Sequence, residues 1–523
     1  MRRLGLHYPS MIPKSSTRPV IRFFLVLVCA TFALRADVRL PGLFSDHMVL
    51  QQKMRVPVWG WADEDEQVTV TFRGKKVSAT ATHGKWTVKL PAQKAGGPDT
   101  LVVQGRNRIE LKDVLVGEVW ICSGQSNMEF PLNHSFESEK DIANCLNAKL
   151  RLFTVPKLKA NEPVDDVKAA WQECTPDTVK GFSAVGYYFG RDLQKARGVP
   201  VGLIHTSWGG SPAEVWMSEK VLGSNPGYKK AILDRYGDQL KWYQAELAKW
   251  EEETAALKKE GKEPSRGRPW PAWKPAELYN GMIAPLIPYS IKGAIWYQGE
   301  SNADRAWQYR TLFPDMISNW RRDWGQGDFA FFAVQLAPWD GNKKRSIEQI
   351  TATTGESAWA ELREAQLLST RVLPNVGMAV ITDVGDKDDI HPTKKEPVGS
   401  RLALQARGII YGEKIEDSGP IYKSMQLKGD KIVLTFDHAK GGLESRGGRL
   451  RGFALCGADK KFVWANAEID DGRVLVSSPQ VEKPVAVRYG WADYPVVNLF
   501  NREGLPASPF RTDDFPMTTA PKP

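Results

Sequence analysis

The sequence predicts an α/β protein built on a parallel sheet, with β-rich regions before and after it. Three observations carry this. From Val114 to about Gly412, short apolar runs alternate with amphipathic segments, the order of βα units. On either side, residues 37–113 and 413–515 hold short β-branched and aromatic runs broken by turn residues. At 523 residues, 42% of them hydrophobic, the chain has material for more than one core.

The elements follow in chain order. Arg18 and Arg22 precede an apolar run from Phe23 to Leu34, and Ala30 and Ala36 are small residues suited to cleavage. This pattern reads as a signal peptide over residues 1–36, with a run too short to span a bilayer comfortably. It predicts an exported protein, periplasmic or extracellular, without stable membrane insertion. The net charge of +10 is mostly leader: without that segment, 65 basic and 61 acidic residues leave +4. Such a small excess argues against a nucleic-acid partner.

Residues 37–113 read as an N-terminal β-sandwich domain, with strands at Arg55–Trp61, Gln67–Phe72, Lys85–Leu90 and Thr100–Val103. In the 114–412 domain, strands are expected at Val114–Ile121, Val201–Ile204, Ile291–Tyr297, Phe329–Leu336 and Val376–Ile381. Helices are expected at Ala184–Lys195, Tyr309–Trp320, Trp359–Leu368 and Pro397–Arg407. An insertion at about 226–275 carries Leu240, Tyr243, Leu247, Trp250, Thr254 and Leu257 at alternating spacings of 3 and 4, one amphipathic helix. Residues 413–523 read as a C-terminal β domain and tail, with Lys428-Gly429-Asp430 joining two strands. Cys122, Cys145, Cys174 and Cys456 lie outside the leader, and an exported chain has three ways to pair them. There is no CxxC or HExxH, and no His has a second His or Cys at ligand spacing, so no metal is expected.

In an open α/β sheet, ligands sit beyond the carboxyl ends of the strands. Beyond Val114–Ile121 comes Ser126, and beyond Val201–Ile204 come Trp208, Gly209 and Gly210. Beyond Ile291–Tyr297 come Gln298 and Asn302, and beyond Val376–Ile381 come Asp388, Asp389 and His391. One sheet edge thus gathers the parts of acyl transfer. Ser126 can attack an ester carbonyl if His391 takes its proton, and an acid holds the imidazole in the right tautomer. The oxyanion needs converging donors: the backbone N–H of Ser126, one at Gly209 or Gly210, and an amide side chain. A histidine base sets an acid limb near or somewhat above the ordinary imidazole pKa of about 6.5.

Seven segments extend the pattern: VLVGEVWICSGQSNMEFPL, FSAVGYYFGRDL, PVGLIHTSWGGSPAEVW, LYNGMIAPLIPYSIKGAIWYQGESNA, WAELREAQ, DVGDKDDIHPTKKEPVGSRLA and VRYGWADYPVVNLFNREGLPASPFRTD. With them the chain resembles the sialate O-acetylesterases and related carbohydrate acetylesterases of the SGNH-hydrolase superfamily. The resemblance implies an SGNH-type three-layer α/β/α sandwich flanked by accessory β-rich domains, acting without a cofactor. It implies Ser126 as nucleophile, His391 as base and Gly209-Gly210 as the oxyanion turn. Gln298 is the implied third donor, with Asn302 as the alternative. The Asp-x-x-His spacing implies Asp388 as the acid, with Asp389, or no side-chain acid at all, as alternatives. Arg363 in WAELREAQ is a candidate for a substrate carboxylate, and Trp208 for contact with the sugar.

The implied activity is removal of O-acetyl groups from carbohydrate, foremost O-acetylated sialic acid. Acetylxylan or another polysaccharide is the rival substrate. The rival of another class is a non-catalytic carbohydrate-binding protein on a hydrolase scaffold. The sequence is silent on oligomeric state.

Overall fold

The computed structural model describes residues 37–264 and 266–522, so the expected signal peptide lies outside the described residues. A central sheet contains β1 (Arg108–Gly124), β2 (Asn147–Thr154), β3 (Gln172–Cys174), β4 (Val201–Ser207), β5 (Gly293–Tyr297), β6 (Ala330–Val334) and β7 (Val376–Ala379). Their order is β7-β6-β5-β1-β4-β2-β3. Every pair from β7 through β2 is parallel, and β3 is antiparallel to β2. The sheet is therefore mixed, where the sequence predicted a parallel one. The two strands not anticipated, β2 and β3, are the polar-flanked edge: β3 has three residues, only one of them buried.

Both faces of the parallel part are covered, which explains its continuous apolar runs. In β1, Val119 and Ile121 join one core, and Trp120 and Cys122 join the other. The helices are α1 (Ala184–Arg197), α2 (Asp234–Lys259), α3 (Ala306–Trp324), α4 (Ala358–Val372) and α5 (Glu396–Gln405). Residues of α1 and α5 pack in the second core, and those of α3 and α4 in the first. Helix α2 is the insertion helix, and all six residues of the expected stripe are buried or half-buried on it. It leans on the chain that follows, where Trp250 Nε1 donates to the Arg266 carbonyl at 3.0 Å.

β1 is 17 residues long and serves two sheets. Its first half pairs with Gly96–Gln104 and Val49–Gln51 of the N-terminal β region, and its second half with β4 and β5. The expected boundary between residues 113 and 114 thus falls inside one unbroken strand.

After α5 the chain forms β-sheets around a core including Leu434, Phe453, Val476, Tyr489 and Phe510. Gly429, at φ 63°, makes the hairpin turn between Ile421–Lys428 and Lys431–Asp437. This region is tied to α4: Arg511 pairs with Glu364 at 2.8 Å, and the Thr518 and Thr519 hydroxyls donate to buried Glu361. No helix among the described residues is long and apolar enough to cross a membrane. Cys122, Cys145, Cys174 and Cys456 are all buried and unpaired.

Candidate active site

Ser126 stands where β1 ends. Gly124 closes the strand at φ 140°, with its missing Cβ position 2.1 Å from the Tyr297 carbonyl oxygen, so only glycine fits. The next residue, Gln125, donates its N–H to that same carbonyl at 2.9 Å. Its side-chain oxygen accepts from Gly299 and Ser301 N–H, both at 3.3 Å. Ser126 then opens a short helix, Ser126–Glu129, so the helix ladder leaves its own N–H unused. Ser183 caps α1 and also donates to the Met128 carbonyl at 2.6 Å, fixing the short helix from behind.

His391 comes from the loop after β7. Its Nε2 lies 2.8 Å from Ser126 Oγ, and both residues line an open cavity of about 550 Å³ with Glu129, Phe130, Lys157, His205 and Ser207. Asp389 accepts the backbone N–H of His391 at 2.8 Å, and its Oδ1 lies 3.4 Å from His391 Nδ1. Asp388, the acid implied by spacing, turns away and pairs with Lys387. The acid next to the ring is Asp389. Burial holds the His391 imidazole below its ordinary range, opposed by Asp389 and reinforced by the charge of Lys395. That moves the expected acid limb down, not up. His205 is pushed down to about 4 by burial, so it is a neutral wall of the cavity.

The oxyanion candidates divide. Gly209 is at the site, where a Cβ would stand 3.3 Å from that of Ser126, but its N–H donates to Glu129 Oε2 at 2.7 Å. An ester oxygen that uses this donor must displace the carboxylate. Glu129 also pairs with Lys157. Gly210 supplies the turn, at φ 74°.

Gln298 and Asn302 are elsewhere. The Gln298 amide is fully buried, donates to the Ser211 carbonyl and to Asn302 Oδ1, and accepts from the Tyr309 hydroxyl. Asn302 donates to Glu214 at 2.9 Å. Neither side chain lines the cavity, because both are consumed holding the 211–214 and 298–302 loops together.

Arg363 is likewise corrected. It is fully buried on α4 and donates to the carbonyls of Leu336, Ala337, Ala492 and Asp493 at 2.7–3.1 Å. Its guanidinium fastens the C-terminal region to the sheet and does not line the cavity, so it is not placed to meet a substrate carboxylate there. The cation at the cavity is Lys157, whose ammonium lies 5.4 Å from the ring centre of Trp208. Trp208 meets Trp273 from the insertion edge to face, with ring centres 5.7 Å apart.

Sequence reasoning missed Glu129, Lys157 and Trp273, along with a buried polar group behind Ser126 formed by Asn127, Glu300 and Lys395. A polar residue beside a strand-end serine was the available signal for Asn127. Among the described residues, two sets of side chains have metal-ligand geometry, His47–Asp113–Glu173 and Glu416–Asp417–His438. Arg151 fills the first, 2.7 Å from Asp113, and neither lines the cavity.

The profile of the family described as carbohydrate esterase, sialic acid-specific acetylesterase, matches residues 116–260 and 266–407. The sialate O-acetylesterase of Mus musculus is 30% identical over 539 residues, covering 93% of this chain and 96% of that protein. The sialate O-acetylesterase of Homo sapiens is 28% identical over 517 residues, covering 90% and 92%. The crystal structure of a carbohydrate acetylesterase from Xanthomonas citri superposes with a TM-score of 0.78 at 40% identity, covering 92% of this chain and all of that one.

Proposed function

The chain belongs to the family of carbohydrate esterases described as sialic acid-specific acetylesterases and is a carboxylic ester hydrolase, and on that premise we propose that it removes O-acetyl groups from O-acetylated sialic acids through an acyl-enzyme on Ser126. The observation that carries this reading is the 2.8 Å contact between His391 Nε2 and Ser126 Oγ on the wall of an open cavity.

Ser126 Oγ attacks the acetyl carbonyl as His391 Nε2 takes its proton. Asp389 favours the Nδ1–H tautomer and stabilises the imidazolium. The tetrahedral oxyanion takes the Ser126 N–H and, once Glu129 has moved, the Gly209 N–H. Collapse breaks the bond to the sugar oxygen, which takes the proton from His391 and leaves as the hydroxyl. Water, activated by the same imidazole, then releases acetate.

The carboxylate of the sugar would meet Lys157 in the cavity wall, an ammonium that lies against Trp208, although Trp208 itself does not line the cavity. This is the support for an acidic sugar. The assay of purified protein on O-acetylated sialic acids beside acetylated xylan tests it: kcat/KM is expected to be higher on the sialate. Preference for xylan moves the function to polysaccharide deacetylation.

We further propose an SGNH-type three-layer arrangement around the central sheet, a β-rich region before it that shares the strand Arg108–Gly124, an accessory β domain at 413–523, and export directed by residues 1–36. Detection of a mature N-terminus near residue 37 in the exported fraction tests the last point.

A further inference from the structure

Behind the nucleophile lies a charged group that the acyl-transfer steps do not use. Lys395, in the turn entering α5, is 1% exposed, and its ammonium donates to Asn127 Oδ1 at 2.5 Å. The same ammonium sits 4.6 Å from the ring centre of Phe130 and 5.4 Å from that of Tyr297. Asn127 is fully buried and spends its amide on two acceptors, Glu300 Oε1 at 2.7 Å and the Ile390 carbonyl at 3.0 Å.

The chemistry of an amide makes this arrangement directional. Asn has an acceptor at one side-chain terminus and two donors at the other, and the two orientations differ little in shape. A cation at Oδ1 with a carboxylate and a carbonyl at Nδ2 permit one orientation only. Asn127 adjoins Ser126 and Ile390 adjoins His391, so the bond between them spaces the two backbones that carry the reacting pair.

We propose that Lys395 is a positioning residue for the Ser126–His391 pair, acting through Asn127. The inference rests on the nucleophile and base assigned above. Glu300 is the counter-charge, and burial raises its pKa. Burial also pulls Lys395 down to about 7, against Glu300 and Asp389. The charge of Lys395 opposes protonation of the His391 ring, adding to the effect of burial. The groups facing Lys395 are Asn127 and Phe130 from the nucleophile turn, Tyr297 and Glu300 from the β5 end, and Asp389 of its own loop.

The test is the pH dependence of kcat and kcat/KM for p-nitrophenyl acetate in Lys395→Met, in Lys395→Arg, and in the double variant Lys395→Met with Glu300→Gln. The double variant leaves no lone buried charge and guards against simple misfolding. Lys395→Met and the double variant are expected to lose about tenfold or more in plateau kcat. The acid limb of Lys395→Met should move up by about half a pH unit or more, because the repelling charge is gone, and that of the double variant, which also loses the Glu300 carboxylate, by less. Lys395→Arg should keep the wild-type acid limb. If the folded variants have lower melting temperatures but unchanged plateau kcat and acid limb, Lys395 is only structural and the proposal fails. Ser126→Ala assayed alongside separates the two readings: its retained activity sinks the nucleophile assignment, whereas its loss beside unaffected Lys395 variants sinks only the positioning role.

Discussion

Ser126 and His391 are within hydrogen-bond reach of each other, but their backbones are held in different ways. The serine follows a strand buried from Val114 to Gly124 and is fixed by Gly124, Gln125 and Ser183. The histidine sits in a loop whose acid, Asp389, has a side chain 61% exposed. That loop is shaped mainly by its own turns: Asp386 accepts the N–H groups of Asp388 and Asp389, and Asp389 accepts that of His391. The nucleophile is thus positioned by the sheet, while the base depends on local contacts and on Asn127 reaching across to Ile390.

The strongest test of the comparison removes the rigid partner. Ser126→Ala is expected to lower kcat by at least about a thousandfold, roughly 4 kcal/mol of barrier. The strand end should absorb the loss of one hydroxyl with a stability change of about 1 kcal/mol or less. Steady-state kinetics and thermal denaturation of the same preparation check both halves.

The loop side comes next. Asp389→Asn is expected to cost about a hundredfold in kcat, because Asn still accepts the His391 N–H but no longer stabilises the imidazolium. Asp388→Asn, whose partner is Lys387, should stay within about threefold of wild type. The opposite ranking would return the acid role to Asp388, and two near-native variants would leave a Ser-His pair.

A smaller effect is the pH profile. The base must be neutral to accept the Ser126 proton, and burial lowers its folded pKa, so activity persists to lower pH than for a free imidazole. The acid-side midpoint of kcat/KM is expected below about 6.5. A midpoint above that value would mean that Asp389 outweighs burial. Smallest is Lys157→Met: KM for an O-acetylated sialic acid should rise severalfold, with p-nitrophenyl acetate hardly affected. An equal change on both substrates would remove Lys157 from carboxylate recognition.

The same contrast explains what was legible in the sequence. Five strands of the central sheet and four helices announced themselves, because burial on both faces leaves unbroken apolar runs and the helices between them keep their period. That placed Ser126, Gly209 and His391 at one edge. The loop acid was not legible: two adjacent aspartates differ only in the direction each turn gives them. Arg363 misled because α4 is covered on one side by the sheet and on the other by the C-terminal region. Trp359, Glu361, Leu362, Arg363 and Gln366 are all buried, and no polar face remains to identify. Gln298 misled because an amide at a strand end can serve a loop as readily as an oxyanion. Glu300 and Lys395 were not legible as a buried pair, nor Asn127 as the amide between them, because these partners are distant in sequence.

One feature of the fold reaches beyond catalysis. β1 is the backbone of both the N-terminal β region and the sheet that ends at Ser126, with no linker at which the two could part. When its central residues lose their neighbours on one side, the pairing on the other side loses its template. Heat or denaturant should therefore melt the two regions in a single cooperative step, and amide protons in Gly96–Gln104 should exchange with the same free energy as those in β4. The N-terminal region is in this sense part of the folding unit of the active site.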